Sequence, residues 1–107
     1  MIYHKTFKHT SSKTWVVFIH GAGGSNLVWF RQLREFKKHF NVLLVDLRGH
    51  GKSKKQYSKA EKYKFDEIAL DVVHTMDHLK IEKAHFVGIS LGCNVLRASY
   101  RLEHGRD

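Results

Sequence analysis

Residues 86–92 read Phe-Val-Gly-Ile-Ser-Leu-Gly, so a complete Gly-x-Ser-x-Gly pattern follows directly on an apolar run. This is the sequence form of a nucleophile elbow, a sharp strand-to-helix turn that exposes the hydroxyl of a serine. Gly88 and Gly92 suit such a turn, because a Cβ at either position would crowd the neighbouring backbone. The pattern therefore predicts that Ser90 is a nucleophile.

Short apolar runs alternate along the chain with longer amphipathic segments. The runs at 15–19, 42–45 and 84–87 are typical of strands buried on both faces of a parallel sheet, and the alternation at 2–8 predicts an edge strand. Helical spacing of apolar residues is found at 29–40, 65–79 and 91–102. The alternation predicts one α/β domain over residues 1–107, with an edge strand, three buried parallel strands and three helices.

Charged residues at the ends of two predicted helices support these assignments. Lys37, Lys38 and His39 are expected in the last turn of the first helix, where the helix dipole favours cations. Asp66 and Glu67 are expected in the first turn of the second helix, where the dipole favours anions.

Composition restricts the class of protein. The 107 residues are 42% hydrophobic, which argues against a disordered chain. No run of eighteen apolar residues predicts a membrane span, and residues 1–10 lack the apolar stretch of a secretory signal. The single cysteine, Cys93, excludes an internal disulfide and fits a reducing compartment, so we expect a cytoplasmic protein. No Cys/His spacing resembles a zinc site, and we expect neither a metal nor a cofactor.

The net charge of +9 arises largely from lysines, six of which lie between Lys52 and Lys64. Proteins that bind nucleic acid more often use arginine with interleaved aromatic residues, whereas this stretch offers only Tyr57 and Tyr63. We interpret the stretch as a solvated loop and expect no nucleic-acid or membrane partner. Binding to an anionic surface is the alternative.

Each of the three predicted buried strands is followed by a distinctive motif. The first precedes His20-Gly21-Ala22-Gly23-Gly24-Ser25, the second precedes the segment 46–53, Asp-Leu-Arg-Gly-His-Gly-Lys-Ser, and the third precedes the Ser90 turn. Ligands of open α/β sheets bind beyond the carboxyl ends of the strands. The three motifs are therefore expected on one rim of one sheet.

These motifs, in this order and spacing, resemble the N-terminal half of an α/β-hydrolase-fold protein, from about Trp15 to Gly92. They are similar to the esterase, lactonase and carbon–carbon-bond hydrolase branch of that family. The resemblance implies a mostly parallel sheet with flanking helices, ending shortly after the elbow helix.

The resemblance also implies roles for individual residues. Ser90 would attack an ester, thioester or lactone, and an acyl-serine intermediate would form. The backbone amides of Leu91 and Ala22 would bind the oxyanion. His20 and Gly21 would support the oxyanion turn.

Other interpretations of the same residues remain open. Ser90 is alternatively an ordinary turn serine, and the glycine-rich segment 20–24 a phosphate cradle, although it lacks the ending of a P-loop. His20 is alternatively a catalytic base. Cys93 is either a small packed residue or a reactive thiol. Asp46 and Arg48 are expected to brace their loop through charge-assisted hydrogen bonds.

A serine nucleophile needs a base, and in this fold the acid and then the histidine follow the serine along the chain. After Ser90 the sequence offers only Glu103, His104 and Asp107, and along an intact helix His104 would lie roughly 20 Å from Ser90. We therefore expect the chain to be inactive or weakly active. The alternative is a non-catalytic fragment or interaction module that self-associates through an open sheet edge at 84–89.

Overall fold

Four strands form a single mixed sheet in the computed structural model, which describes residues 1–56 and 65–89. The strands are β1 (His4–Phe7), β2 (Trp15–Ile19), β3 (Asn41–Val45) and β4 (His85–Gly88). Two α-helices, α1 (Phe30–Phe36) and α2 (Phe65–His78), connect them, together with 3₁₀ segments at Asn26–Trp29 and Gly51–Gln56. The predicted third helix, at 91–102, lies outside the described residues.

The strand order is β1-β3-β2-β4. Strands β3, β2 and β4 run parallel, whereas β1 pairs with β3 in the antiparallel direction at the edge. The predicted α/β architecture with a mostly parallel sheet and an edge strand is therefore confirmed. Helices lie in the connections between the parallel strands, because parallel strands need long crossovers. Helix α2 packs on one face of the sheet and α1 on the other.

Alternate residues of the two central strands point to opposite faces, so each face needs its own cover. On one face, Val17 and Ile19 of β2 pack with their β3 counterparts against α2. The residues of α2 in this layer are Ile68, Ala69, Val72 and Met76. This double coverage explains why β2 and β3 are apolar at consecutive positions instead of alternating with polar residues.

Aromatic side chains cover the other face of the sheet. Phe18 of β2 lies with its ring centroid 5.0 Å from that of Trp29 and 5.2 Å from that of Phe36, the latter edge to face. Leu33 and Phe40 join the same cluster. The predicted apolar stripe of the first helix is therefore confirmed as a packing surface, although it extends beyond the helix at both ends.

The structure differs from the sequence-based expectations in several places. Helix α1 ends at Phe36, so Lys37–His39 form a turn after the helix, not its last turn. Phe65, expected on the buried stripe of α2, is 44% exposed. Strand β4 is half-buried and not fully buried, because within the described residues it pairs only with β2. Asp66 and Glu67 do occupy the first turn of α2.

No helix among the described residues is both long enough and apolar enough to cross a membrane.

Candidate functional site

The carboxyl ends of the three parallel strands lie at one level of the sheet. Ile19, the last residue of β2, pairs with Val45 of β3 on one side and with Gly88 of β4 on the other. The amide of Ile89 continues this pairing by donating to the carbonyl of Ile19 at 3.3 Å. The segments that follow the three strands therefore leave the sheet side by side.

His20 is fully buried, and both ring nitrogens are hydrogen-bonded. The amide of Leu47 donates to Nε2 at 3.0 Å, so Nε2 carries no proton, and Nδ1–H donates to the carbonyl of Gly21 at 2.7 Å. Burial lowers the pKa of His20 below 6.5; the Gly21 bond and the Asp46 charge raise it by less, and nearby His50 lowers it further. His20 is therefore a neutral histidine, and backbone groups hold both of its ring nitrogens, which leaves neither to act as a base.

The bond from His20 controls the orientation of the next peptide unit. The Gly21 carbonyl also accepts from the amide of Gly24 at 3.1 Å, and the peptide is trans. The carbonyl of Gly21 and the N–H of Ala22 point in opposite directions, because they belong to one planar unit. Anchoring the carbonyl towards His20 thus turns the Ala22 N–H away from it, and among residues 1–56 and 65–89 no acceptor meets that N–H.

A cavity of about 500 Å³ lies beside this turn. One described wall is the loop 22–24 after β2, and the other is the loop after β3, through His50 and Lys54. Phe65, at the start of α2, also faces the cavity. Its exposure, which contradicts the predicted core position, is explained by this location.

Asp46, the residue after β3, is 1% exposed and accepts three hydrogen bonds. Its Oδ1 accepts from the amide and the side chain of Asn26, both at 2.7 Å, and Oδ2 accepts from the amide of Lys52 at 2.9 Å. Burial raises the pKa of Asp46, but these hydrogen bonds, with a smaller contribution from His20, outweigh it and hold the pKa below 3.8. The predicted bracing role of Asp46 is confirmed.

Arg48 connects the loop after β3 to α2. Its Nε donates to Asp71 Oδ2 at 2.7 Å and its Nη2 to Asp71 Oδ1 at 3.0 Å, a bidentate pair, while Nη1 reaches Glu67 at 3.4 Å. Bidentate arginine–carboxylate pairs add geometric specificity to their electrostatic energy. The predicted bracing by Arg48 is therefore present, and it includes two partners on α2.

The strand ends, the turn after β2 and the loop after β3 all lie within a stretch of the chain that matches a known protein family. The family model described as the alpha/beta hydrolase fold matches residues 14–102. The chain belongs to the α/β-hydrolase family.

Two curated relatives within this family are enzymes from Acinetobacter baylyi. The putative carbamate hydrolase RutD is 36% identical over 91 residues, which are 83% of this chain and 33% of RutD. The 3-oxoadipate enol-lactonase 2 is 34% identical over 77 residues, which are 72% of this chain and 28% of the lactonase. The chain thus spans about a third of the length of these α/β-hydrolases.

Two solved structures superpose closely on this chain. Est816, described as an N-acyl homoserine lactone degrading enzyme, gives a TM-score of 0.83 at 32% identity, covering 97% of this chain and 38% of Est816. The enol-lactonase from Burkholderia xenovorans LB400 gives 0.78 at 31% identity, covering 97% and 39%.

The structure brings together part of the predicted α/β-hydrolase site. His20, Gly21 and Ala22 lie at the end of β2, and Gly88 ends the neighbouring strand β4. Ser90, Leu91, Gly92 and Cys93 lie outside the described residues, so their roles stay predictions. In the basic stretch, Lys52 and Lys54 are exposed, and the positions from 57 to 64 lie outside the description.

Two polar residues of the site were missed by sequence reasoning. Asn26 is 5% exposed and supplies two of the three donors to Asp46, and Asp71 binds Arg48. Neither carries a sequence signal of its own: Asn26 lies just past the glycine-rich motif, and Asp71 is one of several acidic residues on a helix. Among the described residues, no group of three or more His, Cys, Asp and Glu side chains forms a metal site.

Proposed function

We propose that this chain carries the nucleophile and oxyanion-binding half of a serine hydrolase that acts on a small ester, thioester or lactone. Ser90 is the nucleophile, and the amides of Ala22 and Leu91 bind the oxyanion. The observation that carries the proposal is the Ala22 amide. It is turned away from His20 by the anchored Gly21 carbonyl, in the wall of the cavity, where β2 ends level with β4.

Chain continuity supports the choice of Ser90. Gly88 ends β4 beside Ile19, and the amide of Ile89 still bonds to the carbonyl of Ile19. Ser90 is the next residue in the sequence after Ile89, which lies beside the strand that leads into the Ala22 turn. The described part of the cavity wall contains no acidic side chain, which suits the approach of an electron-rich carbonyl oxygen.

The proposed reaction has two steps. The Ser90 oxygen attacks the substrate carbonyl carbon as its proton passes to a base, and the negative charge on the carbonyl oxygen is bound by the two amides. Collapse expels the protonated alcohol or thiol and leaves an acyl-serine. Water then attacks that ester, and the acid is released with Ser90 regenerated. One oxyanion donor typically contributes about 3–4 kcal/mol of transition-state stabilisation.

The base and its acidic partner are not assigned to residues of this chain. His20 is unsuited to the role, because its Nε2 accepts from Leu47 and its Nδ1–H is held by Gly21. We propose that the 107 residues alone react slowly, since an unassisted serine hydroxyl is a weak nucleophile. The relatives' names make lactones and carbamates the first substrates to test.

A fluorophosphonate probe tests this proposal, because it forms a covalent bond with a serine nucleophile and needs no turnover, so that even a slow reaction accumulates as labelled protein. We expect the native chain to be labelled at Ser90, as located by peptide mass spectrometry, and labelling to be lost in Ser90→Ala. Ser11→Ala, a change at an exposed serine in the loop before the amino end of β2, is the matched control and should label normally. Labelling that survives Ser90→Ala, or that is equal in urea, would refute the assignment.

A second candidate function is association through the outer edge of β4. Within the described residues β4 pairs only with β2, and Ile89 beside it is 52% exposed. An edge strand with an exposed apolar residue beside it favours association between chains. Light scattering should then show a dimer or larger species that Ile89→Lys reduces and Leu27→Lys, a change at a 66% exposed residue elsewhere, does not. A monomer over the whole concentration range would exclude this function.

A further inference from the structure

The two described walls of the cavity belong to different loops, and one buried carboxylate contacts both. The loop 22–24 follows β2, and the loop 49–54 follows β3. We infer that Asp46 is a positioning residue that holds these two walls at a fixed separation. The catalytic consequence of this role rests on the proposed function, whereas the positioning itself does not.

The first wall is connected to Asp46 through Asn26. Asn26 comes two residues after Gly24, at the start of the first 3₁₀ segment, and both its amide and its side chain donate to Oδ1. Ser25 caps the same segment, with its hydroxyl accepting from the amide of Leu27. The glycine-rich turn is therefore anchored at its start by His20 and at its end by Asp46.

The second wall is connected through Lys52 and Gly51. The amide of Lys52 donates to Oδ2, and Gly51 has a φ of +49° with its Cα directly against the carboxylate. A Cβ at Gly51 would overlap Oδ2 of Asp46. Glycine is needed here both for the left-handed backbone and for this close approach.

A carboxylate is the side chain that satisfies this arrangement. Three N–H donors converge on two oxygens, and an ionised carboxylate is acceptor-only. An asparagine would keep one acceptor oxygen and turn its NH₂ group towards a donor. The backbone of Asp46 is itself hydrogen-bonded on both sides, because its amide donates to the Tyr3 carbonyl at 2.9 Å and its carbonyl accepts from the Ser53 hydroxyl at 2.7 Å.

The separation of the walls can be measured with two nitroxide labels in the full chain. The labels are placed on Ala22→Cys and Lys54→Cys, both exposed wall positions, in a Cys93→Ser background. Dipolar broadening in frozen solution reports the distribution of distances between them. We expect a narrow distribution, which Asp46→Asn widens. Asn26→Ala, which removes only the side-chain donor, should widen it less and serves as the test if Asp46→Asn fails to fold.

The opposite end of β3 provides a matched control. Asn41 is 6% exposed, accepts from the amide of His9 at 2.7 Å and donates to the carbonyl of Ser12 at 2.8 Å. Asn41→Ala therefore also breaks a buried polar network, but away from the cavity. We expect it to lower the thermal midpoint and leave the distance distribution unchanged. An unchanged distribution in Asp46→Asn, or equal widening in Asn41→Ala, would overturn the inference.

Fluorophosphonate labelling of Ser90 then separates this inference from the proposed function. If both hold, Asp46→Asn slows labelling by up to about a hundredfold, the loss that a misplacement of about 1 Å can cause, and Asn41→Ala does not. If the native chain is not labelled at all, the proposed function fails, and the spin-label result still decides the role of Asp46.

Discussion

Two substitutions of His20 should separate the stability of the chain from the reactivity of its site. An asparagine amide occupies the place of the ring edge that carries Nδ1, so His20→Asn keeps a donor to the Gly21 carbonyl and loses the acceptor for Leu47. A glutamine amide reaches the place of Nε2, so His20→Gln keeps the acceptor for Leu47 and loses the donor to Gly21. Each variant therefore breaks one of the two bonds.

The two losses differ in size because of what remains. In His20→Asn the N–H of the fully buried Leu47 has no acceptor, which costs about 1–3 kcal/mol. In His20→Gln the Gly21 carbonyl still accepts from Gly24, so about 0.5–1.5 kcal/mol is lost. A domain of this size is stable by roughly 5–15 kcal/mol, so either change is measurable.

The expected effect on reactivity runs in the opposite order. His20→Gln frees the peptide that orients the Ala22 amide, and the loss of one oxyanion donor slows an acyl-transfer step by about 10²–10³-fold. His20→Asn keeps that peptide anchored. The asparagine variant should therefore be the less stable and the more reactive of the two.

Urea denaturation followed by far-UV circular dichroism gives the free energies of unfolding. Fluorophosphonate labelling rates are then compared at a temperature where both variants are fully folded. The reasoning fails if reactivity simply follows stability, with the asparagine variant the poorer in both assays. Equal labelling rates in the two variants would also refute it.

Three further predictions concern the same end of the sheet. Folding lowers the pKa of His20, so the stability that the neutral side chain contributes is present above pH 6.5 and is lost as the pH falls below that value. The free energy of unfolding should fall by up to about 1.4 kcal/mol per pH unit. Urea titrations at several pH values should show a smaller fall in His20→Gln. Gly51→Ala should destabilise the chain by more than Gly23→Ala in thermal melts, although both glycines have a positive φ. A Cβ at Gly51 would overlap the buried carboxylate of Asp46, whereas a Cβ at Gly23 would have no atom within 4 Å. Arg48→Lys should lower the free energy of unfolding by about 1–2 kcal/mol, since lysine cannot form the bidentate pair with Asp71, and Arg34→Lys, on the exposed face of α1, should leave it unchanged.

Sequence reasoning succeeded where a residue pattern has one structural solution. The continuous apolar runs at 15–19 and 42–45 predict strands covered on both faces, and both are central strands of the sheet. It failed for Lys37–His39 because helical spacing does not show at which residue a helix ends. It failed for Phe65 because helical spacing does not show whether another element covers a given side chain. Phe65 fits the periodicity of α2 but lines the cavity.

By itself, the sequence determined the α/β class, the order of the strands' motifs and the presence of a glycine-rich turn after β2, because local spacing encodes periodicity and turn geometry. Only the tertiary structure decided which polar groups meet. Asp46 binds Asn26 twenty positions away, Arg48 binds Asp71 on a helix, and His20 joins Gly21 to Leu47. These residues meet because the strand ends lie side by side in the folded sheet. A hydrogen bond between distant loops produces no periodic pattern in the sequence.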